Sequence, residues 1–200
     1  MKLIRNLSIS KKLMITFFIV LIINLITGYQ GLIGVKKVNS NISKMYELDL
    51  RGINVINRLK ASLATNKANI LLIINPANKD DSISIANEIT NNKTANGVYI
   101  DSYKEIISGT TERAGFSKLE EPLKKYSEYS DNIVKLARAG QYDEAAKVYE
   151  EFVKNERSMI YILDDQIDLN GQLARKDYEG SNDIYQTTVN SLTIFISLSA

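Results

Sequence analysis

VKKVNSNISKMYELDLRGINVINRLKASLATNKANILLIINP, residues 35–76, sets apolar side chains at alternating steps of three and four. Val35, Val38, Ile42, Met45, Ile56, Leu59, Leu63, Ile70 and Ile73 share one heptad stripe, interrupted by Asp49, Gly52 and Asn66. That period belongs to a helix with one buried face. The first proline after it is Pro76, and proline disfavours helix in the residue ahead of it, so the helix is expected to end near Asn75.

Upstream, residues 13–35 (LMITFFIVLIINLITGYQGLIGV) carry no charge and lie between Lys11-Lys12 and Lys36-Lys37. As a helix they span about 34 Å, enough to cross a hydrocarbon core of roughly 30 Å. Lys2, Arg5, Lys11 and Lys12 precede the run with no acid among them, which places residues 1–12 in the cytoplasm and the rest outside. A cleaved signal peptide is the rival reading, but the run is long for one and no A-x-A-like site follows. Within the run Asn24, Gly28, Gly31 and Gly34 are the candidates for close packing between membrane helices.

Downstream, a second helix is expected from Asp81-Ser82 to Ser108, with Ile85, Ile89, Asn92, Asn96, Tyr99, Tyr103 and Ile106 on its stripe. The chain then turns through residues 110–116, and Ser117 with Glu120 has capping-box spacing for a third helix that ends at Gly140. A fourth begins near residues 141–144, where acids favour a helix N-terminus, and meets no proline through Asp183. Its expected stripe is Ala145, Val148, Phe152, Asn155, Met159 and Ile162, with Ile167, Leu169 and Leu173 further on. Residues 184–200 are uncharged and read as the start of a second membrane helix. The fold class is therefore all-α. Residues 36–183 form an up-down-up-down four-helix bundle outside the cell, its long first and fourth helices continuous with transmembrane helices.

Composition narrows the function. Four of the 25 basic residues precede the membrane run, leaving 21 against all 23 acids, so the bundle offers no basic stripe for nucleic acid. Cysteine and histidine are absent, which removes the usual zinc sites, thiol nucleophiles and histidine bases. No enzyme activity and no cofactor or metal is expected.

The basic start with SISKKL, the membrane helix, the stretch at 35–76 and the last helix opening with ARAGQYDEAAKVYEEF resemble the sensory half of methyl-accepting chemotaxis proteins of the four-helix-bundle type. The resemblance covers the whole chain. It departs from the family after Tyr46, where Glu47 and Leu48 stand in place of a common Leu-Pro. It implies a homodimeric chemoreceptor in the cell membrane that detects a small molecule, or a ligand-binding protein, outside the cell. The signal would reach cytoplasmic kinase machinery through residues beyond these 200. Sensory domains of membrane histidine kinases and cyclic-nucleotide signalling enzymes share the resemblance. A structural bundle without ligand is a third reading.

Two sets of residues are candidates for a ligand. Counting along antiparallel helices brings Asn66, Asn92, Ser130 and Asn155 to one level, either as a polar cavity or as a buried layer that fixes register. Arg58 and Lys67, with Arg157 and Tyr161 at similar heights, could receive a carboxylate or could be a solvated, ion-paired face. The family resemblance implies acidic ligands held by arginines between first helices of a dimer, with Arg58 or Lys67 as positional counterparts.

Overall fold

The computed structural model describes residues 8–107 and 109–199, the last two by their backbone alone. All of its regular structure is helical: α1 (Ile9–Lys44), a π-helical turn (Met45–Leu50), α2 (Arg51–Ile73), a 3₁₀ segment (Pro76–Asp81), α3 (Ser82–Ile106), α4 (Thr110–Ser117), α5 (Glu120–Arg138) and α6 (Tyr142–Ser199). Contacts divide the chain into two units, the bundle of residues 46–174 and a helix pair made of the segments up to 45 and from 175.

The bundle is the all-α four-helix architecture expected from the sequence, and local chemistry places its corners. Ahead of Pro76, Asn75 is extended (φ −84°, ψ 117°), and its Oδ1 accepts the Ala77 N–H at 3.0 Å, so α2 stops where the proline demands. Gly140 ends α5 in the left-handed conformation (φ 77°). Its N–H reaches the Ala137 carbonyl at 3.0 Å and the Gln141 N–H reaches Leu136 at 2.9 Å, the two bonds of a Schellman cap.

The expected turn at 110–116 is instead the short helix α4, held at its start by Glu112, whose Oε2 accepts the Gly109 N–H at 2.9 Å. Ser117 closes that helix rather than capping the next. Its hydroxyl donates back to the Ala114 carbonyl at 2.9 Å and is not free for a capping box with Glu120. Pro122 falls in the first turn of α5, where a missing N–H interrupts no helical bond.

Ile56, Leu59, Leu63, Ile70 and Ile73 of α2 bury their side chains against Ile89 and Tyr103 of α3, Tyr126 and Ile133 of α5, and Phe152, Met159 and Leu163 of α6. The three interruptions of the α2 stripe, Asp49, Gly52 and Asn66, are buried on that same face. Gly52 is there for space: a Cβ would lie 3.0 Å from Asn170 Oδ1 and 3.3 Å from the Tyr103 ring.

The buried faces depart from the expected stripes in two places. On α6 the buried residues run Phe152, Glu156, Met159, Leu163, Gln166, Asn170 and Ala174, while Asn155, Ile162, Ile167, Leu169 and Leu173 are half-buried. The buried face from Phe152 to Asn170 keeps a heptad repeat, but its step after Phe152 is four residues where the expected stripe takes three, so the two part at once. On α1, Val35 and Ile42 are exposed and Gly34 is buried, because the π-helical turn holds more residues than an α-turn and counting carried through it slips.

In the helix pair, Gly34 packs on Thr188, whose Oγ1 would lie 2.5 Å from an added Cβ, and Lys44 pairs with Asp177 at 3.6 Å. A Cβ at Gly28 or Gly31 would meet nothing within 4 Å. Asn24 donates to the Val20 carbonyl of its own helix at 2.8 Å. Among the described residues, one helix, Ile9–Ile73, contains a stretch long and apolar enough to cross a membrane, and none of that stretch is buried.

Candidate functional site

Polar side chains inside the bundle gather in two layers. In the first, Asn66 is fully buried on α2, and its Nδ2 donates to the Tyr126 hydroxyl on α5 at 2.9 Å. Burial pushes the Tyr126 phenol well above its ordinary value, against the lowering effect of the Asn66 bond. Ser130 lies one turn along α5, also buried, and Asn155 turns from the core to donate to the Pro122 carbonyl at 2.8 Å. Asn92 is half-buried on α3 beside Lys93, which pairs with Asp131 at 2.7 Å. Asn66 and Ser130 are thus core residues, Asn155 belongs to the α5–α6 seam, and Asn92 stays half-buried on α3 outside both.

In the second layer the Tyr103 hydroxyl accepts from Asn170 Nδ2 at 2.8 Å and donates to Gln166 Oε1 at 3.3 Å. The Tyr103 ring packs against Phe116 of α4 at a tilt of 54°, with centroids 4.8 Å apart. Burial raises the Tyr103 phenol to about 12. The Gln166 amide occupies the space a Cβ at Gly115 would need, which is how α4 fits against α6. Gln166 and Asn170 were hidden from the sequence by the apolar Ile167, Leu169 and Leu173 around them. Gln166 lies seven residues after Met159 and Asn170 seven after Leu163, so the heptad step taken from those two residues reaches both.

The cations of α2 separate by face. Lys67 pairs with Glu156 of α6 at 2.7 Å, and the Glu156 side chain is only 6% exposed. One heptad earlier Lys60 pairs with Asp164 of the same helix. Arg157 and Tyr161 are exposed on α6, next to this seam in sequence. Arg58 is exposed on a different part of α2: its Nε donates to Asn54 Oδ1 at 3.0 Å.

Arg58 instead borders a groove of about 280 Å³ between α2 and α3. Arg51, Asn54, Val55 and Arg58 form one wall; Val98, Tyr99 and Ser102 form the other. A neighbouring hollow along α2 shares Arg51 and Asn54 and extends to Tyr46, Glu47 and Leu50. The sequence signal for this groove is the seven-residue spacing of Arg51 and Arg58, which puts both on one helix face.

No group of histidine, cysteine, aspartate and glutamate among the described residues could hold a metal ion. With helices, seams and groove in place, the chain can be set beside known proteins. The family described as "Four helix bundle sensory module for signal transduction" matches residues 6–185. The chain belongs to this family. A relative from Bacillus subtilis (strain 168), named "Putative sensory transducer protein YvaQ", is 22% identical over 186 residues, covering 92% of this chain and 31% of the relative. The chain thus spans about a third of that relative's length. No solved structure matches. A sensory module of this kind serves signal transduction and is not a family of enzymes. The expected likeness to methyl-accepting chemotaxis proteins stands on the same match.

Proposed function

We propose that this sensory module belongs to a dimeric transmembrane chemoreceptor, which detects a small molecule outside the cell and passes a conformational signal to a cytoplasmic signalling domain. In this reading residues 13–35 cross the membrane, residues 36–183 lie outside, and the segment from 184 re-enters it. The observation that carries it is the wholly unburied apolar stretch of a helix that runs on, without a break, to Ile73. Side chains such as Leu13, Phe17, Leu25 and Leu32 are all more than 60% exposed, which suits lipid and not water. At the far end of the fold, α6 likewise runs from the bundle through residue 183. A small displacement of α6 against α2 therefore has a continuous helical path toward the membrane.

The chain contains no cysteine, so single cysteines report topology cleanly. In intact cells, Thr94→Cys is expected to react with a membrane-impermeant maleimide and Ser8→Cys to react only after permeabilisation. Equal labelling of both before permeabilisation contradicts the topology. For signalling, residues 1–200 joined to the cytoplasmic half of a characterised chemoreceptor are expected to change kinase output with at least one compound from a panel of amino acids, organic acids and sugars. A folded, inserted hybrid that answers to none of them contradicts direct sensing.

A further inference from the structure

Resting on the sensory reading above, we propose that the groove between α2 and α3 is the ligand site, that it is complete within a single chain, and that it takes a compact organic di- or tricarboxylate. Charge is the first reason. Arg51 and Arg58 both border the groove, and no Asp or Glu lines it. Neither arginine forms an ion pair with an acid among the described residues, whereas the two lysines of the same helix, Lys60 and Lys67, both do. Two guanidinium groups on one groove, with the acid Glu47 lining only the adjoining hollow, favour a polyanionic guest over a neutral or singly charged one.

Geometry is the second reason. Seven residues place the two arginines on one face with a rise of about 10.5 Å between them. Asn54 lies between, and its Oδ1 holds Arg58 Nε at 3.0 Å, leaving the terminal guanidinium nitrogens to present a two-pronged fork. Two carboxylates of one molecule can then be met by two forks at once. Ser102 adds a hydroxyl from the opposite wall, and Val55, Val98 and Tyr99 supply apolar surface beside the two guanidinium groups. The volume of about 280 Å³ suits a molecule of the size of malate or citrate.

This assignment differs from a site shared between copies of the chain. Both walls come from one polypeptide, so one ligand should bind per chain.

The test is calorimetric titration of the 200-residue chain in nanodiscs with citrate and malate, with acetate, glutamine and ribose as comparisons. Citrate is expected to bind saturably at one per chain and at least tenfold more tightly than acetate. Arg51→Ala and Arg58→Ala should each weaken citrate at least tenfold, with the matching lysine variants recovering part of the loss. Lys60→Ala, on the other face of α2, should leave affinity within twofold. Unchanged citrate affinity in both arginine-to-alanine variants overturns the proposal, as does one ligand per two chains. If neither citrate nor malate binds to chain shown folded by circular dichroism, the proposal also fails. Binding of glutamine or ribose in that case leaves the sensory reading standing, and a hybrid receptor silent to every compound removes both.

Discussion

Two faces of α2 treat their cations differently. On the side toward α6, Lys60 and Lys67 meet Asp164 and Glu156 across the seam, and Glu156 is almost wholly withdrawn from water. On the side toward α3, Arg51 and Arg58 border an open groove and meet no acid. The Lys67–Glu156 pair is committed to the fold, because a buried carboxylate needs its partner, whereas Asp164 beside Lys60 stays about half exposed. The two arginines have solvent and, for Arg58, the Asn54 side chain around them, which is where an external anion can compete. The same division separates the buried Asn66–Tyr126 and Tyr103–Gln166–Asn170 layers, whose hydrogen bonds are internal, from the outward Asn54, whose one bond orients a guanidinium.

The largest expected effect comes from unpairing the seam. Lys67→Ala leaves the Glu156 carboxylate buried and alone, and should cost about 2–4 kcal/mol, read as a lower midpoint in urea unfolding. Replacing both partners, Lys67→Met with Glu156→Met, should recover most of that loss. A single-variant cost below 0.5 kcal/mol would place this pair with ordinary surface ion pairs and erase the contrast with the arginines.

Next in size is the first polar layer. Tyr126→Phe strands the Asn66 amide and should cost about 1–2 kcal/mol. Adding Asn66→Leu should restore stability to within about 1 kcal/mol of the parent while loosening register, seen as faster amide exchange along α5. A double variant as slowly exchanging as the parent would show that the layer carries no register information.

The buried phenols give a pH signature. Tyr103 is raised to about 12 by burial, and Tyr126 is raised in the same direction, against an unfolded value of about 10. For an acid whose folded value is raised, the unfolded chain loses its proton first. The contribution to stability is therefore complete below pH 10 and is lost as pH climbs from 10 through 12. Unfolding free energy should fall over that window, and Tyr103→Phe should shallow the fall. An unchanged slope would show that the phenol is not held neutral by the fold.

The smallest effect sharpens the comparison from its other side. Arg58→Ala removes an exposed cation with one hydrogen bond to an exposed amide, so thermal stability should stay within about 0.5 kcal/mol of the parent. A loss above 1 kcal/mol would make Arg58 part of the scaffold and no longer a free group of the groove.

Much of this organisation was legible in the sequence because it rests on local chemistry. Pro76 and Gly140 end their helices by backbone restrictions that no tertiary contact needs to supply, and the α2 stripe named its buried face including the polar interruptions. The α4 helix was not legible. Its eight residues are too few for a periodic signal, and Ser117 and Glu120 happened to match a capping pattern that Ser117 does not use. On α6 the expected stripe named Asn155 where the fold buries Glu156, because steps of three and of four from Phe152 both return to the same side of a helix and the sequence pattern did not choose between them. The groove was half legible. Arg58 stood out as a carboxylate receiver, but Lys67 faces another helix and Asn54, Tyr99 and Ser102 gain meaning only once α3 lies beside α2.

The central claim is that the arginine face reads the ligand while the lysine face holds the fold. It is tested most directly by the citrate dose–response of kinase output in a hybrid receptor carrying residues 1–200. The double variant Arg51→Ala with Arg58→Ala should raise the midpoint at least tenfold, and Lys60→Ala should leave it within threefold. A midpoint unmoved by the arginine pair, or moved as far by Lys60→Ala, would contradict the account.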